Sequence, residues 1–270
     1  MQIIKVPGIN GLGKTNGCEN AGNAVLALLR NNYSNEQGKL IDVKILDLEE
    51  IHLDNGNLEL TNKLIYENAL EAFETKPKLM FLGGDHSISY SIGRAFLRYC
   101  AQANKNPCLI VFDSHPNCVP SAGSGFPTHE EWLRALIEQG FPSENILIVG
   151  LRNSYSEELQ FIRERKIKTL GMNEILLDIE NACDAIMEFA DGKELYLSLD
   201  IDIVDPVFAP ATGYKEPGGL TSRQLIYLIQ RINKMKNLKA ADIVEINAEK
   251  DKEYDHITLK LGTKVLSEFL

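Results

Sequence analysis

The run Ser198-Leu199-Asp200-Ile201-Asp202-Ile203-Val204-Asp205-Pro206 constrains the chain more than any other, because it sets carboxylates into an otherwise apolar, strand-like segment. Side chains two apart in an extended segment share a face. Asp200 and Asp202 are therefore expected to point one way while Leu199, Ile201 and Ile203 enter the core. Like charges held side by side away from water raise each other's pKa and cost stability unless a cation lies between them. A metal ion is the natural candidate.

Two further apolar runs end in the same chemistry. Leu79 to Gly84 delivers Asp85 and His86, and Leu109 to Phe112 delivers Asp113 and His115. Ligands of open α/β sheets bind outside the carboxyl ends of the strands, so groups from these distant segments are expected to meet in one crevice. β-rich runs near 2–6, 42–48, 78–82, 108–112, 146–150, 194–200 and 240–246 alternate with helical patterns. The latter lie near 18–31, 59–76, 88–104, 129–140, 156–165, 173–190, 221–234 and 256–269. Such alternation specifies a parallel sheet covered on both faces. The expected class is α/β, a three-layer α/β/α fold with a mainly parallel central sheet, built as a single domain over residues 1–270. Capping-box patterns at Thr128-x-x-Glu131 and Thr221-x-x-Gln224 mark two helix starts. The first sets His129 in an opening helical turn, beside partial positive charge that favours a neutral imidazole.

Composition bears on partners and compartment. With 44% hydrophobic residues in 270, the chain can bury a full core, and its net charge of −10 argues against nucleic acid or an anionic membrane as the main partner. Met1 to Asn10 lacks a basic segment followed by an apolar one, and no apolar run is long enough to span a bilayer, so a cytoplasmic location is expected. Cysteines 18, 100, 108, 118 and 183 form no Cys-x-x-Cys pair, and their odd number suits reduced thiols. Four are read as filler; Cys118 lies near the Asp113/His115 turn, where a small loop residue is the preferred reading and a solvent-accessible thiol the alternative.

Taken in order, five strings carry a family resemblance: Gly83-Gly84-Asp85-His86-Ser87, Asp113-Ser-His115, Ser198-x-Asp200-x-Asp202-x-x-Asp205-Pro206, Gly218-Gly219-Leu220-Thr221-x-Arg223 and Asp242-Ile-Val-Glu245-x-Asn247. Together they resemble the arginase/agmatinase/formimidoylglutamase family of ureohydrolases, over most of the chain. The resemblance implies two divalent metal ions, most often manganese, with nickel or cobalt as alternatives. It implies that Asp113 and Asp200 bridge the ions, that His86 completes one and that His115 with Asp202 completes the other. It further implies a binuclear hydrolase acting on a guanidino or amidino C–N bond of a small cationic linear amidine, with metal-bound hydroxide as nucleophile, in the manner of an agmatinase or arginase. Glu245 would hold the guanidinium, His129 would shuttle a proton, and the protein would form a homo-oligomer, a trimer or hexamer. A carboxylate-rich donor set with one imidazole per ion independently suits Mn²⁺ better than Zn²⁺.

Two positions depart from the family pattern. Its turn reads Asp-x-His-x-Asp, and the last Asp ligates the ion held by the first histidine; here that metal position is Asn117. A neutral amide oxygen in that place weakens the ion at His86, which opens the reading of a one-ion or non-catalytic protein. Arginases carry Ser and Asn just before the shuttle histidine to hold the amino acid end of arginine, whereas this chain has Gly125-Phe126-Pro127-Thr128. Free L-arginine is thus disfavoured, leaving agmatine, another guanidino compound or a formimino compound. A rival enzyme class comes from Gly8-Ile-Asn-Gly-Leu-Gly13-Lys14-Thr15, which satisfies the P-loop pattern of nucleotide hydrolases and follows the first strand. Asn16-Gly17 then break helical propensity where a P-loop needs its helix to begin. Asp85 and Asp205 are read as turn residues and Arg152 as a structural salt-bridge partner.

Overall fold

The computed structural model describes residues 1–121, 123 and 125–270. Its strands are β1 (Gln2–Val6), β2 (Asp47–Glu50), β3 (Leu79–Gly83), β4 (Pro107–Phe112), β5 (Ile146–Val149), β6 (Lys168–Leu170), β7 (Glu194–Asp200) and β8 (Leu238–Val244). They form one sheet in the order β2-β1-β3-β8-β7-β4-β5-β6, with parallel pairing throughout. Alternation along each strand feeds two separate cores. In β4, Leu109 and Val111 pack with Ile4, Phe81 and Tyr196, while Ile110 and Phe112 pack on the other face with Ile3, Met80 and Leu197. Both faces are dry, which is why these strands read as continuous apolar runs.

Helices α2 (Leu58–Thr75), α3 (Ile88–Gln102), α4 (Trp132–Glu138) and α5 (Ser156–Arg165) bury their apolar stripes on the Phe81 face. The Met80 face is covered by α1 (Ala21–Leu29), α6 (Met172–Leu177), α7 (Ile179–Ala190), α8 (Ser222–Ile232) and α9 (Ile257–Phe269). The three-layer α/β/α expectation holds. Each fully buried large aliphatic or aromatic side chain contributes roughly 1.5–3 kcal/mol, so the central strands form a stiff base for whatever sits at their ends. Among the described residues no helix is long and apolar enough to cross a membrane. All five cysteines are unpaired and buried, Cys118 included.

Local chemistry explains where the structure departs from the expected elements. The run expected at 42–48 becomes a strand only from Asp47, because the Asp42 side chain accepts from Lys44 N–H and bends 43–45 into a 3-10 turn. One helix expected over 173–190 is two, broken at Asp178, whose carboxylate caps α7 by accepting from Asn181 N–H. The edge strand β6 has three residues, too few to show a period. At Thr221 both halves of the capping box form, as expected. At Thr128 they do not: Glu131 accepts from Thr128 N–H at 2.8 Å, but the Glu131 N–H bonds the Thr128 carbonyl at 3.1 Å and closes a turn. The helix then starts at Trp132, leaving His129 upstream of it.

Gly84 joins β3 to the loop after β1. A Cβ there would lie 1.8 Å from the Gly8 carbonyl oxygen and 2.8 Å from its carbon, while Asp85 N–H donates to that same oxygen at 3.1 Å. Backbone cannot yield as a side-chain tip can. Gly84→Ala is expected to cost about 3 kcal/mol or more, read as a lower urea midpoint at unchanged slope; a midpoint equal to the parent's would show that the two loops separate freely.

Candidate metal centre

The strand order sets β3, β8, β7 and β4 side by side at the middle of the sheet. Their ends are level, since Leu82 pairs with Ile243, Ile243 with Leu199, and Leu199 with Phe112. Whatever follows these strands therefore arrives along one line. His86 follows β3, Glu245 follows β8, Asp200 ends β7, and Asp113 with His115 follows β4.

The side chains meet as the motif reading expected. His86 Nδ1 lies 3.0 Å from Asp113 Oδ2 and 3.1 Å from Asp200 Oδ2. His115 Nδ1 lies 2.9 Å from Asp202 Oδ2 and 3.6 Å from the other oxygen of Asp113. Two donor groups result, His86-Asp113-Asp200 and Asp113-His115-Asp202, each with its ligand atoms within 4.8 Å of one another and with Asp113 in common. One detail differs from the strand reading. β7 stops at Asp200, and Ile201–Ile203 form a 3-10 turn opened by Asp202 N–H donating to Asp200 Oδ1 at 2.8 Å. Asp202 reaches the crevice by that turn, while Ile201 and Ile203 still enter the core.

Charge in this crevice is out of balance without added cations. Burial, reinforced by Asp202 and Asp113, pushes the Asp200 carboxyl well above the usual carboxylate range. Burial and then Asp113 raise Asp202 as well. Asp113 is also raised by burial, but hydrogen bonds from His115 and His86 prevail and hold it below its ordinary value. Burial opposes protonation of both imidazoles, yet their aspartate partners lift His86 well above its usual pKa and push His115 up to about 12. The cluster thus demands positive charge, as protons or as metal. Its donors, mostly carboxylate with one imidazole on each side, fit hard or borderline divalent ions.

Outer contacts hold the ligand atoms in place. His86 Nε2 lies 2.9 Å from Ser198 Oγ, which donates to Asp242 at 2.9 Å; Asp242 also accepts from Leu199 N–H, Ser89 Oγ and the Tyr196 hydroxyl. The His86 ring rests against Trp132, centroids 4.6 Å apart. Sequence reading quoted Ser198 and Asp242 within motifs without giving them work, and it missed Trp132 and Tyr214 altogether. A serine two residues before Asp200, on the same strand face, was the available signal. Tyr214, in an irregular loop, offered none.

Glu245 occupies a left-handed backbone conformation (φ 64°), which ends β8 and turns the carboxylate inward. Its Oε1 accepts from His86 N–H at 2.9 Å and lies 3.0 Å from His129 Nδ1. The helix terminus expected to favour a neutral His129 is not beside it, since α4 begins at Trp132. Burial lowers its pKa, but the Glu245 carboxylate outweighs burial and leaves it above its ordinary value. Asn117, at φ 53°, lies where the missing acid would, its Nδ2 donating to Asp113 Oδ2 at 2.5 Å and lying 3.2 Å from His86 Nδ1. A half-turn of the amide would present its oxygen instead.

Neighbouring residues resolve the remaining expectations. Asp85 accepts from Asn10 N–H and Thr15 Oγ1, both at 2.7 Å, and from Ser87, so it braces loops. Asp205 accepts from Val207 and Gly218 N–H groups and shapes its turn. Arg152 is structural, but its guanidinium clamps main-chain oxygens, Asp202 at 2.6 Å and Glu216 at 2.7 Å, instead of a carboxylate. The Gly8–Thr15 loop lacks P-loop geometry: α1 starts only at Ala21, Thr15 Oγ1 is spent on Asp85, and Lys14 Nζ lies 3.3 Å from Glu130. A cavity of about 100 Å³, partly open to solvent, lies over the cluster and is walled further by Val119, Tyr155, Thr212 and Tyr214.

Comparison with known proteins follows the same lines. The profile of the Arginase family matches residues 1–270. The chain belongs to the arginase family. It is 30% identical over 221 residues to an agmatinase of Bacillus anthracis, covering 81% of this chain and 71% of that one. It is 27% identical over 232 residues to a mitochondrial arginase of Medicago truncatula, covering 84% and 64% of the two chains. In fold it resembles the formimidoylglutamase of Bacillus subtilis, with a TM-score of 0.87 over 99% of this chain and 85% of that one at 22% identity. For this arginase-family chain, Ser198→Ala removes the partner of His86 Nε2, and loss of such an outer contact typically weakens metal affinity roughly 10–100-fold. Titration of the metal-free variant with Mn²⁺ measures it; an affinity equal to the parent's would detach Ser198 from the centre.

Proposed function

We propose that this protein hydrolyses a guanidino or amidino C–N bond of a small cationic substrate at a centre for two divalent ions. The observation that carries the reading is Asp113, which offers one oxygen to the His86 group and the other to the His115 group. Asp113 and Asp200 would lie between the ions, His86 and Asn117 on one side and His115 and Asp202 on the other. Mn²⁺ suits the donor set best, with Ni²⁺ or Co²⁺ as alternatives. Ions bound there supply Lewis acidity and make water acidic enough to attack near neutral pH.

The chain's own groups do the rest. Glu245 spends Oε1 on His86 N–H and His129, while Gly213, whose Cβ would stand 3.2 Å from Oε2, leaves that oxygen open to an amidinium N–H. His129 is steered by Glu245 through Nδ1, so Nε2 is the atom that exchanges a proton with the departing amine. Tyr214 stacks on the His129 ring, centroids 5.9 Å apart and planes within 12°, and limits its rotation. The segment before His129 supports exclusion of free arginine. The Phe126 and Pro127 carbonyls accept from Asn10 Nδ2 at 3.2 and 3.0 Å, so this stretch anchors the first loop, and it carries neither the Ser nor the Asn of arginases. The names of its relatives, an agmatinase and a formimidoylglutamase among them, keep guanidino and formimino compounds both in view.

A second reading, a one-ion or non-catalytic protein, draws on the Asn117 amide donating to Asp113 where an acid would ligate. A panel of guanidino and formimino compounds, scored for urea, ammonia and formamide with each ion added, separates the two. Turnover of at least one compound is expected, and His129→Ala should lower kcat/KM by roughly 10²–10⁴-fold. Protein that keeps no metal after loading and desalting, and releases no product, would overturn the proposal. Asn117→Asp is expected to tighten the more weakly held ion and raise the metal-to-protein ratio; an equal or lower ratio in elemental analysis would remove residue 117 from the ligand set.

A further inference from the structure

Lys14 has found a partner that the crevice wall provides. Its ammonium stands 4.9 Å from the centroid of the Tyr214 ring, donates to the Tyr214 hydroxyl and lies 3.3 Å from Glu130 Oε1. The Tyr214 hydroxyl in turn donates to that same Glu130 oxygen. An aromatic face, a phenol oxygen and a carboxylate thus enclose one alkylammonium group, the combination that recognises such cations in general. Tyr214 and Glu130 line the crevice, and Lys14 does not. The box is continuous with the reacting centre, since the His129 ring separates its carboxylate from that of Glu245: Nδ1 is 3.0 Å from Glu245 and Nε2 is 3.7 Å from Glu130.

We propose that Tyr214 and Glu130 form the receptor for a distal ammonium group of the substrate, and that the Lys14 side chain is an internal stand-in which the substrate displaces. The substrate class is then an amidine or guanidine joined by a short aliphatic chain to a protonated amine, which deepens and rests on the hydrolase reading above. Charge at the crevice favours this over an anionic tail. Among the described lining residues none is Lys or Arg, while Glu130 is acidic; Glu158 is spent on the Cys118 and Tyr155 N–H groups. Arg152 is committed to the carbonyls of Asp202 and Glu216. Lys14 itself is already neutralised by Glu130.

The stand-in can leave without disturbing its loop. The side chain is 53% exposed, where an ion pair is weak. Its backbone is held independently, by Asn10 N–H and Thr15 Oγ1 on Asp85. Gly13, at φ +85° with no atom near its missing Cβ, leaves room for the lysine to swing outward.

The test uses three alkylguanidines of equal chain length that end in an ammonium, a hydroxyl or a carboxylate, with metal-loaded protein. The ammonium compound is expected to exceed the hydroxyl compound about tenfold in kcat/KM, the worth of one charge-assisted hydrogen bond. Glu130→Gln should abolish most of that preference, and Glu130→Lys should shift it toward the carboxylate compound. Lys14→Met should lower KM for the ammonium compound with kcat unchanged, because the competitor is gone. If Glu130→Gln slows all three compounds by one factor, or Lys14→Met selectively weakens the carboxylate compound, the inference is overturned. If none of the three is turned over while another guanidino or formimino compound is, the hydrolase reading stands and the substrate class proposed here is overturned; if no compound of the wider panel is turned over, the hydrolase reading fails by itself. Calorimetric binding of the same compounds then decides the receptor: a tail-charge preference erased by Glu130→Gln supports it, and indifference to tail charge overturns it.

Discussion

Three buried carboxylates at the end of a parallel sheet, Asp113, Asp200 and Asp202, set the terms for everything around them. Moving one such charge out of water is costly, and neighbours of the same sign add to the cost. The fold meets part of it with its own dipoles. His115 N–H donates to Asp113 at 2.7 Å, Ser114 N–H to Asp202 at 2.9 Å, and Asp202 N–H to Asp200. These donors exist only because the chain turns sharply at each strand end and frees its amides from the ladder. Two imidazoles meet another part, and their aspartate partners raise the pKa of both His86 and His115. Carboxylates and imidazoles gathered this closely are the kind of donors on which divalent ions can replace protons.

That constraint also explains what was legible in the chain and what was not. Acids closing apolar runs are visible because a buried strand is so uniformly greasy, and the parallel α/β class with convergence at the strand ends follows from their order. Contacts that depend on irregular backbone left no such trace. Asp202 joins Asp200 by a 3-10 turn and not by strand alternation, since Asp200 accepts the next-but-one amide and pulls the chain around. His129 shows the opposite failure: the capping pattern at Thr128 was real as a string, but one reciprocal bond was lost and the helix began three residues late. The influence on its pKa changes for the same reason, because the Glu245 carboxylate in contact raises it where no helix end is present to lower it.

Asn117 sits at the balance point between these effects. With no cation between Asp113 and His86, the favourable end of an amide is its nitrogen, which donates to Asp113 as found here. With a cation there, the favourable end is the oxygen, and a single torsion interconverts the two. The left-handed backbone at 117 suits Asn, which tolerates that region better than most residues. Substituting an acid would add a charge to a site already short of positive charge when no metal is bound. The amide therefore favours the metal-free fold more than an acid does, and it would hold a cation beside His86 less strongly than an acid would.

The glycine-rich first loop extends the same logic outward. Its string matches a phosphate cradle, yet each feature has a local use. Gly8 accepts the close approach of Gly84, and Gly11 makes room for the Thr15 side chain, which would lie 2.2 Å from a Cβ at 11. Thr15 then reaches Asp85, whose second oxygen and whose position beside His86 tie the loop to the strand that carries a ligand. Lys14, left pointing across the crevice mouth, meets Glu130 and Tyr214 instead of a phosphate. A pattern of glycines and a lysine reports close backbone packing and one cation; which partner it takes is decided by the acids it faces.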